Sequence, residues 1–261
     1  MHRSVQPALW GVIAAIAITS TMDATGYSAF SALPLLALTG LFWALQKFTR
    51  KEIRLRWGDL TSHGWALAYP VVVLGLAAAI ALFFGAIDVA DADWPKTLTN
   101  IGLGSTVGIL MVMITEEGFF RGWLWASLKR AGKSDRGVLV LSSLAFTLWH
   151  VSAVSLDTGY DLPAREIPIF LINVTIIGLI WGILRMVSGS VLVPAVSHAV
   201  WNGIDYPLFG FGEKVGALGI TDTYRFGPEV GLAGIVLGLA FLTLVWRNYA
   251  TPVANLSPPI H

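Results

Sequence analysis

Eight long apolar stretches, parted by short clusters of charge, constrain this chain more than any other feature. They run over about residues 8–23, 29–47, 65–87, 100–124, 137–154, 167–186, 190–206 and 230–246. A bilayer's hydrocarbon core is about 30 Å thick and takes roughly 20 apolar residues of helix to cross. No water reaches the backbone there, so such a segment crosses as a helix that satisfies its own hydrogen bonds. The sequence therefore predicts an all-α fold, a polytopic transmembrane helical bundle of about eight spans, with the first and seventh the shortest. The opening residues MHRSVQPALWGVIAAIAITS resemble a signal peptide, but another membrane-length run follows Ala24 at once, so they read as the first span.

Composition agrees. Only 13% of the 261 residues are charged and the mean hydropathy is +0.70, whereas a soluble domain carries about a quarter charged residues. That excludes a disordered chain, a nucleic-acid binder and an ordinary water-soluble enzyme. The net charge of +1 selects no acidic partner, and the absence of cysteine removes disulfides, thiolate nucleophiles and Cys-ligated metal centres. Cytoplasmic loops collect Lys and Arg. With both termini inside, thirteen of the 17 basic residues fall on the cytoplasmic side: Arg3, Lys47, Arg50, Lys51, Arg54, Arg56, Arg121, Lys129, Arg130, Lys133, Arg136, Arg185 and Arg247. Lys96, Arg165, Lys214 and Arg225 fall outside, among acids such as Asp88, Asp91, Asp93, Asp157, Asp161, Glu213 and Asp222. No repeat, linker or low-complexity tract divides the chain, so residues 1–261 form one integral-membrane domain. The loop 205–228 reads as a connection and the tail TPVANLSPPIH as unstructured.

Charged groups inside an apolar span are costly and mark functional sites by default. The fourth span holds Glu116, Glu117 and Arg121 in MVMITEEGFFRGWLW. Glu117 and Arg121 stand at i,i+4 with the acid first, the better order for an intrahelical pair. Glu116 points about 100° away, which leaves it free for chemistry. Of the five histidines, His2 and His261 lie at the termini and His63 in a basic loop; His150 and His198 lie within spans. His198 and Asn202 share one helical face. At 1.5 Å per residue, Glu116 and His150 lie about 20 Å from the expected cytoplasmic ends and His198 about 12 Å, compatible with one layer. Asn173 and Asp23 read as packing groups, Trp149 and Trp201 as packing neighbours, and Phe146 as a wall.

Two acids, an arginine, two imidazoles and an amide suit hydrolysis. Burial raises a glutamate's pKa and makes it a better base near neutrality. Glu116 is the expected base, with His150 sharing the water's proton and His198 and Asn202 facing the oxyanion. Two imidazoles and a carboxylate are also a catalytic zinc set, so no cofactor is required but zinc is a compatible alternative. No HExxH helix, GxSxG elbow or aspartate pair occurs. Proton relays in transporters use similar groups, but no repeated halves or broken-helix pairs are evident.

At these residues the chain resembles the CPBP family of intramembrane proteases, which takes in CAAX prenyl endopeptidases and bacteriocin-processing or self-immunity proteins. EExxxR appears as Glu116, Glu117 and Arg121, FxxxH as Phe146 and His150, and HxxxN as His198 and Asn202. The connecting run GLIWGILRMVSGSVLVPAVSHAVWNG is similar too, so the likeness covers about residues 100–205. It implies eight spans, cleavage near the C-terminus of a membrane-associated protein or peptide, and glutamate-driven catalysis, with zinc long proposed as the alternative. It further implies a bacterial cytoplasmic membrane, lipid as a partner and no nucleic acid. Some members serve as scaffolds or immunity proteins without cutting.

Overall fold

The computed structural model describes residues 4–212 and 214–250, apart from the side chains of 249 and 250. His2, Arg3, Glu213, His261 and the tail that the sequence reads as unstructured lie outside the described residues. The elements in order are α1 (Gln6–Ala24), α2 (Leu33–Gln46), α3 (Arg50–Ile53), α4 (Leu60–Phe83), α5 (Trp94–Ile114), a π-helical turn (Gly118–Leu124) and α6 (Trp125–Arg130). Then come α7 (Asp135–Trp149), α8 (Val151–Ser155), α9 (Ile167–Ser188), α10 (Leu192–Phe209), α11 (Thr223–Phe226) and α12 (Leu232–Val245). A two-residue hairpin pairs β1 (Gly210–Phe211) with β2 (Lys214–Val215). The protein is an all-α bundle embedded in a membrane. Among the described residues six helical segments are long and apolar enough to cross it: Gln6–Ala24, Ser28–Gln46, Leu60–Phe83, Trp94–Arg130, Asp135–Ser155 and Ile167–Ser188. The other two expected segments form helices as well, α10 carrying a polar load and Leu232–Asn248 being shorter.

Local chemistry places the helix starts. Asp59, Asp93 and Ser134 each accept a backbone N–H three residues on, at 2.9, 3.0 and 3.1 Å, and so cap α4, α5 and α7. Pro7, Pro34 and Pro168 sit in the first turns of α1, α2 and α9, where a missing N–H costs nothing. Two helix bounds depart from the sequence reading. Residues 205–209, expected in a loop, continue α10, and the fourth span is not one uninterrupted helix. Thr115 breaks α5 with φ −102° and ψ −95°, and the chain resumes in a π turn. Gly118 permits this, since a Cβ there would lie 2.6 Å from the Met113 carbonyl oxygen.

α10 is the axis of the bundle, packed among α4, α5 and α9. Its closest seam is with α5, and small residues make it. A Cβ on Gly104 would meet the Gly203 Cα at 2.9 Å, and one on Gly108 would meet the Ala199 Cβ at 3.4 Å. Without a hydrophobic drive between helices in lipid, such backbone-to-backbone approach is what dispersion needs. The seam holds the α10 histidine beside the acids that follow α5. The bundle has two chemically distinct ends. One gathers 47–56, 129–136 and 185–190, tied by Arg130 to the carbonyls of Gln46 and Lys47 and by Arg56 to those of Ser188 and Gly189. The other gathers the loops around 88, 158 and 218, tied by the Asp88 N–H to the Leu218 carbonyl and Ser28 Oγ to the Thr158 carbonyl.

Gly203→Ala tests the seam, because its Cβ would stand 2.5 Å from the Ser105 backbone nitrogen, where nothing flexible can yield. Overpacking of this kind costs about 1–3 kcal/mol. The thermal midpoint of the detergent-solubilised variant should fall by several degrees, while Gly40→Ala, with open space around it, should leave it unchanged.

Candidate active site

The lowest layer of the site is a buried salt bridge. Glu117 and Arg121, both with side chains 0% exposed, pair at 3.2 Å across one turn. Arg121 also donates from Nη2 to the Gly178 carbonyl of α9 at 3.2 Å, and its guanidinium carbon sits 4.3 Å from the Phe146 ring centre and 5.7 Å from that of Trp181. A guanidinium keeps its charge in the interior and needs an acid beside it. Glu117 supplies that, and more: the same Oε1 atom accepts a hydrogen bond from His198 Nδ1 at 3.0 Å. The pair expected from sequence is present as the lower half of a triad that reaches α10.

With Nδ1 engaged, His198 turns Nε2 toward Glu116, whose Oε2 lies 3.8 Å away. Trp181 stacks on the imidazole at 4.0 Å and 18°, so the ring is fixed on one face as well as at one nitrogen. His150 approaches the same Glu116 oxygen from α7, its Nε2 at 4.0 Å. Its Nδ1 lies 2.8 Å from the Phe146 carbonyl. A carbonyl can only accept, so Nδ1 carries the proton and a neutral ring presents Nε2 as an acceptor. Phe146 packs edge-on against His150 at 4.4 Å and is a wall, as the sequence suggested.

Glu116 thus meets two imidazole nitrogens at distances too long for direct hydrogen bonds. Three groups able to accept a proton face a common point without satisfying one another, a geometry that takes a small donor such as water. The Glu116 and His150 side chains keep 14% and 19% of their exposure, unlike Glu117 and Arg121, so the upper layer is reachable while the lower one is sealed. Asn202 lies one turn beyond His198, half-buried, and makes no side-chain hydrogen bond among the described residues. His198, with which its amide was expected to share the oxyanion, is held at Nδ1 by Glu117 and presents Nε2 on the Glu116 side. Among the described residues no group of three or more His, Asp or Glu is arranged to hold a metal ion.

Residues read as packing behave in different ways. Trp149 donates to Thr19 at 2.8 Å and Trp201 stacks on Tyr69 at 5.1 Å. Asn173 donates to the carbonyls of Glu229 and Gly231 at 2.9 and 3.1 Å, fixing the turn before α12. Asp23 is buried at 1% exposure, with neither oxygen bonded among the described residues. Sequence reasoning missed Asp205 and Glu229. Asp205 continues the His198–Asn202 stripe at i+7, is 1% exposed, and lines, with Glu229, a cavity of about 440 Å3 at the end opposite the basic cluster. Glu229 accepts from the Tyr160 hydroxyl at 2.6 Å, and burial pushes its carboxyl up to about 7. The i+7 spacing was visible in the sequence; assigning 205–228 to a loop hid it.

Removal of one partner from a buried ion pair strands the other and costs about 3–5 kcal/mol. Glu117→Ala should therefore lower thermal stability far more than Glu116→Ala, because only Glu117 neutralises a fully buried arginine. Equal midpoints for the two variants in a detergent melt would contradict the layering.

Residues 98–204 match a family model described as type II CAAX prenyl endopeptidase Rce1-like. The matched segment contains all seven residues of the motifs, in agreement with the CPBP likeness. Among curated proteins and among solved structures, none matches the chain.

Proposed function

We propose that the chain is an intramembrane endopeptidase in which Glu116 activates water against a peptide bond of a membrane-associated protein or peptide. The observation that carries this reading is the approach of two imidazole Nε2 atoms, at 3.8 and 4.0 Å, to one oxygen of an acid that retains some exposure. The family match of residues 98–204 supports the same reaction class.

Water entering between these acceptors donates one hydrogen to Glu116 and another to an imidazole, which aims an oxygen lone pair outward. Glu116 removes a proton as the oxygen attacks the scissile carbonyl. The carbonyl's electron pair moves to its oxygen, where the Asn202 amide donates, joined by His198 when its Nε2 carries a proton taken up from solvent before the attack and kept through it. Collapse of the tetrahedral intermediate breaks the C–N bond, and the proton held by Glu116 or His150 passes to the departing amine. Removing one oxyanion donor costs about 10²–10³ in kcat elsewhere, so Asn202→Ala should retain a measurable residue of activity. Glu117 and Arg121 do no chemistry in this scheme; they position His198. The same polar stripe would place the substrate chain along α10, in a bacterial cytoplasmic membrane with lipid around the bundle.

The test is cleavage of a peptide library and a lipidated reporter by purified protein. Glu116→Gln and His150→Ala should each abolish cleavage with the thermal midpoint within a few degrees of the parent. Cleavage surviving Glu116→Gln would remove that residue as base. Chelator treatment separates the zinc alternative: activity should persist in protein shown by elemental analysis to be free of zinc. Loss with the metal and recovery on its return would place the reaction on the metal instead. Binding of a partner unaffected by either substitution, with no cleavage by the parent, would favour a scaffold or immunity role.

A further inference from the structure

The basic end of the bundle holds a cavity that the reaction does not use. It measures about 640 Å3 and lies among the chain leading into α4, the last turn of α6 and the C-terminal turn of α9. Six cations line it: Lys51, Arg54, Arg56, Lys129, Arg130 and Arg185. The two acids in its wall are already occupied, Glu52 by Arg130 at 2.6 Å and Asp135 by Lys129 at 2.9 Å. Among the described residues, the remaining four cations have no carboxylate. Arg185 is the sharpest case. It is 3% exposed, and its guanidinium donates only to carbonyls, those of Arg121 at 2.8 Å and Ile53 at 3.4 Å. Arg56 likewise bonds the carbonyls of Ser188 and Gly189 at 2.7 and 2.8 Å. Carbonyl dipoles satisfy N–H groups but carry no net charge, so the charge of buried Arg185 stays uncompensated, with the exposed Arg54 and Arg56 adding to it at the cavity wall.

The level of the cavity says where the missing charge would come from. Arg130 and Ser188 end two of the apolar segments and Asp135 begins a third, which sets the cavity where hydrocarbon gives way to headgroups. Leu55, Trp57 and Leu60 are exposed at 42%, 67% and 83% beside it, an apolar and aromatic rim suited to the membrane interface. We propose that this cavity binds the phosphate of an anionic phospholipid headgroup, with Arg54, Arg56 and Arg185 as its donors. Planar guanidinium groups match phosphate oxygens two at a time, and basic pockets between spans hold such headgroups. Arg185 also bonds the backbone of Arg121, so an occupied cavity braces the residue that holds Glu117.

The experiment uses the full chain, purified in detergent, with thermal unfolding and binding followed on adding phosphatidylglycerol, phosphatidylcholine or inorganic phosphate. Phosphatidylglycerol should raise the midpoint and phosphatidylcholine should not. Lys51→Gln/Arg54→Gln, which alters two exposed side chains, should weaken phosphatidylglycerol binding roughly 25-fold, the loss expected for two cations at a membrane face. Lys133→Gln/Arg136→Gln removes two charges from the same end outside the cavity and should bind as the parent does. Equal losses in both double variants would mean a diffuse surface field and overturn the site. Equal shifts with the two lipids would overturn it as well, and inorganic phosphate matching phosphatidylglycerol would overturn the lipid assignment. Should the first double variant not fold, Arg54→Gln alone should show about a fivefold loss, and an unchanged affinity there would overturn the proposal.

Discussion

One carboxylate oxygen holds the site together. Glu117 Oε1 receives Arg121 from its own helix and His198 from α10, so a single buried acid neutralises a cation and orients an imidazole. Breaking a buried ion pair by removing one partner is strongly destabilising, and here the loss would also free the ring that faces Glu116. The order of the two neighbouring glutamates therefore has a physical meaning. The sealed one supports, and the reachable one, between two Nε2 atoms, is left with unmet capacity.

That oxygen works only because the helices on either side of it are close. Gly104 against Gly203 and Gly108 against Ala199 bring α5 and α10 to backbone contact, and the two acids follow α5 directly. α9 adds the Gly178 carbonyl for Arg121 and the Trp181 face for His198, while α7 delivers His150. The segment matched by the family model, 98–204, contains α9, all of α7 and most of α5 and α10. The flanking helices, α1 and α2 before it and α12 after it, supply enclosure: Thr19 takes the Trp149 indole, and α2 contributes Phe42, stacked on Trp123 at 4.6 Å.

Much of this was legible in the chain because membrane folding makes apolar length and buried charge conspicuous. The eight helical segments fall where the apolar runs lie, and Glu117 meets Arg121 as i,i+4 spacing suggested. Three things were not legible. The partner of His198 depends on helix-to-helix approach, which spacing within one helix cannot report. The break at Thr115 is invisible to hydropathy, because Met113 to Phe120 stays largely apolar around the acids. Asp205 and Glu229 line one cavity because Asn173 pins the turn that carries Glu229, a tertiary contact made by a residue that the sequence suggests is only packing glue.

The π turn at Gly118–Leu124 has a consequence for how such a site could arise or vanish. A π turn amounts to one residue more than an α-helix would hold over the same rise, and excising one residue restores ordinary winding. The helix beyond the turn would keep its faces, but Arg121 would draw in from the fourth residue after Glu117 to the third, changing the geometry of the buried pair while leaving the apolar length of the span almost unchanged. The extra residue thus sets the spacing of the one ion pair on which His198 depends, at no cost in membrane-spanning length.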